Sequence, residues 1–307
     1  MERKELKDLN LLDDFLFQEL LAREEGEEFC RILLRTILGK ELHNIKIIPQ
    51  KVISGRSPGK HGIKIDAYIE ADTLSQNTDT AEVELKAEIY DIEPNKYQAK
   101  DEAHRTRYYH SLIDSKILKS SISYQNLKNV IIIMILPYDP FGKNRMVYTF
   151  QKQCIEDSTI PYNEGITTIY LYTKGTEGNP SQELRDMLQY IESSIESNIT
   201  NDDLAHINQM VESVRHDEEV GVSYMKSWEY EQMWLEEGME KGLNEGKLKT
   251  LITLICKKLQ KNYSVEEIAE MLEEPIETVQ MIYDIAKEHA PEYDIDTIFQ
   301  CYSSKNP

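Results

Sequence analysis

The chain has 307 residues, 40% of them hydrophobic, which suffices for one large core or one core with a smaller appendage and excludes a disordered polymer. The longest apolar run, VIIIMIL at 130–136, is too short to span a bilayer, and the opening MERKELKDLN lacks the apolar centre of a signal peptide, so a cytoplasmic protein without membrane contact is expected. A formal charge of -20 opposes nucleic-acid binding, but residues 1–150 carry 22 Lys and Arg against 24 Asp and Glu, so nearly all the acidity belongs to the remainder.

From residue 10, NLLDDFLFQELLAREEGEEFCRILLRTIL spaces its apolar positions for two amphipathic helices, with Asp13 or Asp14 as N-cap and Gly26 and Gly39 as breaks. GIKIDAYIE then alternates, placing Ile63, Ile65, Ala67 and Ile69 on one face and Lys64, Asp66, Tyr68 and Glu70 on the other, which predicts a half-buried strand. TLSQNTDT reads as a polar loop. In AEVELKAEIYDIEPN the residues Glu82, Glu84, Lys86 and Glu88 form a solvated strand face, until the period slips at Ile89 and Tyr90. Beyond the slip Tyr90 and Ile92 point inward, Asp91 and Glu93 point outward, and Pro94 ends the ladder at a sheet edge.

AKDEAHRTRYYHSLIDSKIL has helical spacing, with Asp101 and Arg105 as an i,i+4 pair. Its consecutive Tyr108 and Tyr109 cannot face the same way, so one belongs to the core. NVIIIMILP reads as a fully buried strand, PYDPFG as a turn, and VYTF and TTIYLYTKG as two short strands. Helices, strands, helix and strands in that order predict an α/β fold with a mixed sheet and helices packed on it. From about residue 180 the chain turns acidic and helical, which divides it into 1–180 and a helical region, 181–307.

In that second region Gly238, Gly242 and Gly246 recur every four residues, a pattern that suits either a frayed linker or a helix approached closely by another, as in a homo-oligomer. YSVEEIAEMLEEPIETVQMIYDIAKEH predicts two helices, with a capping box at Ser264 and Glu267 and Pro275 at the start of the second. The second offers no Lys or Arg before Lys287, so the pair suits protein contact better than reading a DNA groove. The cysteines, Cys30, Cys154, Cys256 and Cys301, are scattered and form no C-x-x-C, which favours neither a disulfide framework nor zinc.

Asp66 taken alone is an ordinary strand carboxylate. With Glu93 at the end of the next strand, the two acids would meet at one end of the sheet, where oxygen ligands suit a hard cation such as Mg2+ or Mn2+ and the cleavage of phosphodiesters. On the following helix Arg105 and Arg107 offer phosphate contacts and Tyr108 a stacking surface, with His104 and His110 beside them, although surface pairing explains much of that charge. Glu19 on the first helix is a further acid, more simply read as solvated.

LLDDFLFQEL, GIKIDAYIE, IYDIEPN, RTRYYHSLIDSKIL, PYDPFG followed by YTF, and IYLYTKG occur in this order over about residues 10–175. The ordered set resembles the PD-(D/E)XK nuclease family transposases, related to the recombination-promoting nucleases of bacteria. That resemblance implies a restriction-endonuclease-like αβββαβ core and a Mg2+-dependent DNA endonuclease, with Asp66 and Glu93 as the metal-holding acids. Where the superfamily has lysine and this family often glutamine, the chain has Asn95, so water would be positioned by Asn95 or by a neighbouring Lys64, Lys86 or Lys96. A literal E-x-K at Glu84, Leu85 and Lys86 ranks below Glu93, because it sits on the alternating strand face. A nuclease acting on RNA, and a catalytically inactive member of the fold acting as an interaction module, are the alternatives.

Overall fold

The structure is a computed structural model and describes residues 4–53, 62–76, 83–98, 101–118 and 123–305. It divides into two compact units, Met1–Tyr224 and Met225–Pro307.

The first unit is α/β. Two helices, α1 (Asp14–Ala22) and α2 (Gly26–Leu38), precede three long strands, β1 (Leu42–Ile53), β2 (Ile63–Gln76) and β3 (Val83–Pro94). Helix α3 (Glu102–Ile117) crosses over to β4 (Asn129–Leu136), and β5 (Val147–Phe150) and β6 (Ile166–Tyr172) complete an open six-stranded sheet in the order β1-β2-β3-β4-β6-β5. The sheet is mixed: β3 with β4 and β4 with β6 pair parallel, whereas β1 with β2, β2 with β3 and β5 with β6 pair antiparallel. Helices α4 (Gln182–Glu192) and α5 (Asp202–Arg215) follow.

Both faces of the central strands are covered. Tyr90, Ile92, Ile131 and Ile133 pack in one core with residues of α1, α2, α4 and α5. Ile89, Ile132 and Met134, one residue out of phase, pack in a second core with Tyr109, Leu112 and Ile113 of α3. The near-continuous apolar run of β4 follows from burial on both sides.

Several sequence expectations change here. Strand β2 divides its expected apolar face, for Ala67 and Ile69 pack in the first core whereas Ile63 and Ile65 pack in the second with Tyr68. Strand β1 is interrupted where Asn44 and Gln50 adopt positive φ (51° and 49°), and Pro49 is tolerated on this edge strand. Strand β2 continues through Thr73–Gln76, so the polar loop is shorter than predicted, and Glu82 lies outside the described residues. Glu88 is not solvated: it is buried and accepts from Lys40 Nζ (2.6 Å) and Asn129 Nδ2 (2.9 Å), which outweigh its burial and hold its pKa below the usual range. Asp13 stands at the α1 N-cap, but its side chain accepts from Asn10 N and pairs with Lys96 instead of capping the helix. The first unit extends past residue 180 to Tyr224, because α4 and α5 supply core residues such as Leu188 and Ile207.

In the second unit, the C-terminal part of α6 (Glu218–Leu259) packs with α7 (Val265–Leu272), α8 (Ile276–Glu288) and α9 (Ile295–Lys305) around Ile252, Ile255, Ile268, Ile282 and Ile298. The capping box of Ser264 and Glu267 opens α7, and Pro275 is the residue before α8, not its first. All four cysteines are free. Among the described residues, no helix is long and apolar enough to cross a membrane.

Candidate active site

Strands β2 and β3 separate just where the acids stand. Their register ends at the pair Ala67 and Ile92, so the next step sets Asp66 opposite Glu93. Asn95 N donates to Ile135 O of β4 (2.9 Å), which turns the nitrogen of Pro94 the other way, toward β2, where a ladder would need a donor that proline lacks. Pro94 thus ends one ladder on a central strand; it does not lie on a sheet edge.

Beyond the last paired residues the Glu93 side chain links the two strands. Its Oε1 accepts from Asp66 N (2.8 Å) and its Oε2 from Arg105 Nη2 of α3 (3.2 Å). Arg105 is oriented in turn by Tyr109, whose hydroxyl accepts from Arg105 Nε (3.2 Å). The expected surface pair of Asp101 with Arg105 is replaced by this inward contact with Glu93. Asp91 and Glu93 do leave the α1 side of the sheet, but they are not outward in the sense of solvated: α3 covers them, and they are 0% and 2% exposed.

Electrostatics follow from that burial. Glu93 is pushed up to about 7, first by desolvation and then by the charge of Asp66. Asp91 is driven well above the carboxylate range by full burial and by Glu93 beside it, and Asp66 is raised by burial against the opposing pull of Lys64 and Arg105. As a carboxylate, Asp91 finds no donor for either oxygen among the described residues; as an acid it donates to Glu93.

The other candidates stand in separate places. Lys64 is exposed on β2 and acts on Asp66 through its charge. Asn95 is turned toward the start of α3: its Nδ2 lies 3.4 Å from Glu102 Oε1, and its Oδ1 accepts from Tyr97 N (3.0 Å). Lys96 pairs with Asp13, burial raises the pKa of Glu19 against the pull of Arg23, and Lys86 pairs in register with Thr73, so none of these joins Asp66 and Glu93. Glu84 is opposite Ser75, nine residues along β3 from Glu93 and about 30 Å away at strand spacing. Arg107 and Tyr108 are exposed on α3, and Tyr109 is the buried tyrosine of the pair.

Glu102 is the acid that sequence reasoning missed. It is buried, its Oε1 accepts from Tyr138 Oη (2.8 Å), and its Oε2 has no partner among the described residues. Position two of a charged helix start gives no hint of this; the signal lies in PYDPFG, whose tyrosine returns to it.

Among the described residues, no three His, Cys, Asp and Glu side chains form a ready-made metal site. Two carboxylates are what the geometry brings together, and Mg2+ is commonly held by one or two carboxylates, with waters and substrate phosphate completing its shell. Asp66, half-buried, and Glu93, with a second lone pair on each oxygen, fit that role. Comparisons with protein-family models, curated proteins and solved structures find no match for this chain.

Proposed function

We propose that the chain is a Mg2+-dependent DNA endonuclease of the PD-(D/E)XK type, related to transposases and recombination-promoting nucleases, built on a restriction-endonuclease-like core. The carrying observation is that the Glu93 carboxylate, 27 residues along the chain, accepts from the Asp66 backbone N–H (2.8 Å) where β2 and β3 part. The order α, β, β, β, α, β from α2 to β4 is the order that such a core requires.

In this reading Asp66 and Glu93 hold the cation. When bound, it supplies positive charge to the scissile phosphate and acidifies a water. Arg105 fixes the Glu93 carboxylate and keeps it aimed at Asp66, Asp91 stores a proton behind it, and Lys64 adds positive charge at the exposed side of Asp66. Arg107 and Tyr108, exposed on α3 two and three residues beyond Arg105, would contact the nucleic-acid backbone in this reading.

A second reading has its own observation. Asn95 replaces the usual lysine, and its side chain is engaged with Glu102 and Tyr97. A fold retained without catalysis, acting as an interaction module, would look the same. Nicking of supercoiled plasmid with Mg2+ or Mn2+ separates the two: cleavage is expected, and Asp66→Asn and Glu93→Gln are each expected to lower it at least about 100-fold while the far-ultraviolet circular dichroism is kept. Intact DNA with every divalent cation tried, together with formation of a specific protein complex, would establish the interaction module instead. Parallel RNA substrates decide the sugar.

A further inference from the structure

One position along α3 from Arg105 and Tyr109, the side chains of Thr106 and His110 face β6. Thr106 Oγ1 is 3.1 Å from Tyr170 Oη, and His110 Nε2 is 3.0 Å from Thr168 Oγ1. Between α3 and the β5–β6 edge lies a pocket of about 420 Å3, lined by neither Asp66 nor Asp91 nor Glu93. Its size is in the range of small-molecule sites.

Three features of the lining define a ligand. One wall is aromatic: Phe141, Phe150 and Tyr170 meet at ring-centroid distances of 4.9, 5.1 and 5.8 Å, and Phe150 remains 46% exposed. The rest of the wall keeps polar atoms without partners. His110, 6% exposed, and Glu164 each keep a buried atom, Nδ1 and Oε1, without a hydrogen-bond partner among the described residues. Asp114 lines the same wall, and burial and the charge of Glu164 raise its pKa. At the rim are two cationic side chains, Arg107 and Lys152, the latter 67% exposed and 2.8 Å from the outer oxygen of Glu164.

Inorganic phosphate suits the rim but is repelled by Asp114 and Glu164, and a simple amine leaves the aromatic wall unused. A flat ring bearing N–H donors, with an anion attached, uses all three features. We propose that this pocket binds an amino-bearing nucleobase, its ring against Phe150 and Tyr170, its N–H groups toward Glu164 and Asp114, and its phosphate near Arg107 and Lys152. Such a base arrives either as a free nucleotide or as a residue turned out of a strand. The pocket would take it whether or not Asp66 and Glu93 cleave, so binding is measurable without a metal.

The test uses the full chain in EDTA. Calorimetry with dAMP, dCMP, dTMP and orthophosphate is run beside fluorescence anisotropy with a short oligothymidylate containing one adenine, or one abasic site at the same place. Binding of dAMP or dCMP at least about tenfold tighter than dTMP supports the pocket with a free nucleotide as its source. Binding of the adenine-containing strand alone, lost with the abasic one, supports the pocket with a strand base as its source. In either case Phe150→Ala and Glu164→Gln are expected to lower affinity about tenfold or more, and Lys152→Glu, at an exposed position, serves if either fails to fold. No binding of either probe, orthophosphate competing as well as dAMP, or affinity unchanged in these variants would overturn the proposal. Because no step involves cleavage, failure here leaves the plasmid assay unaffected, and the reverse holds too.

Discussion

At the scale of residues, Asp66, Asp91 and Glu93 crowd three carboxyl groups around Arg105, and proton occupancy balances the excess of negative charge. This gives pH a defined sign. Glu93 titrates near 7 in the folded chain and near the ordinary carboxylate value when unfolded, so the folded form binds the extra proton between them. The stabilisation is complete below the unfolded value and is lost as pH rises through 7. Without metal, the chain should therefore melt lower at pH 8 than at pH 6 through this group, and Mg2+, which replaces the proton, should raise the melting temperature more at pH 8. His110, held neutral down to about 4 by burial, works in the opposite direction below its ordinary value, so the comparison belongs between wild type and Glu93→Gln. Scanning calorimetry in EDTA and in Mg2+ reads the result; a larger Mg2+ gain at pH 6, or an equal gain in Glu93→Gln, would refute the assignment. Asp66 and Glu93 were legible as a pair because one stands on the polar face of an alternating strand and the other precedes a proline at the end of the next strand. Glu88 and Glu102 were not, because their partners Lys40, Asn129 and Tyr138 stand 36 to 48 residues away, and local periodicity does not distinguish a solvated acid from a buried one with distant donors.

Elements with one clean period were readable, and those carrying two signals were not. The strand β4 and the helices α7 and α8 correspond to apolar runs and caps visible in the sequence, whereas β1 is hidden by Asn44, Pro49 and Gln50, and the end of β2 is hidden by Thr73 and Ser75. Glycines repeat the lesson. Gly26 looks like a helix break, yet it opens α2 at a point where an added Cβ would lie 2.5 Å from Leu21 O, so backbone approach is what requires it. Gly26→Ala should cost about 1–3 kcal/mol in urea unfolding of the first unit, since backbone must move to admit the methyl group. In the second unit, Ser264→Ala removes one half of the capping box and should cost about 1 kcal/mol. Equal, negligible losses in both would mean that neither contact limits its unit.

For the whole molecule, the question left by the fold is what covers α6. Trp234, Leu235, Met239 and Leu243 are 52–67% exposed, and beside them Gly238, Gly242 and Gly246 have nothing within 4 Å of an added Cβ. A helix that is apolar along one exposed strip and weakened by about 1 kcal/mol at each glycine gains most from a second helix laid on that strip. This strip supports the proposed homo-oligomer through the C-terminal region, and the glycines make it testable in opposite directions. In an isolated chain, Gly238→Ala and Gly242→Ala should each stabilise α6 by about 1 kcal/mol, because alanine favours the helix and meets no obstacle. In a chain that pairs through the glycine row, the same methyl groups would hold the helices apart. Sedimentation velocity over a range of concentrations should therefore show association in wild type and a shift toward monomer in the double alanine variant, while its helix content at 222 nm stays equal or rises. A truncation that tests the same region must keep Tyr224, which packs on Phe15 and donates to Lys4 O; ending the chain at residue 220 would remove part of the first core and confuse loss of pairing with loss of folding. If the alanine variant associates as strongly as wild type, the glycine row is not the contact, and the exposed Trp234 strip alone would have to account for any association.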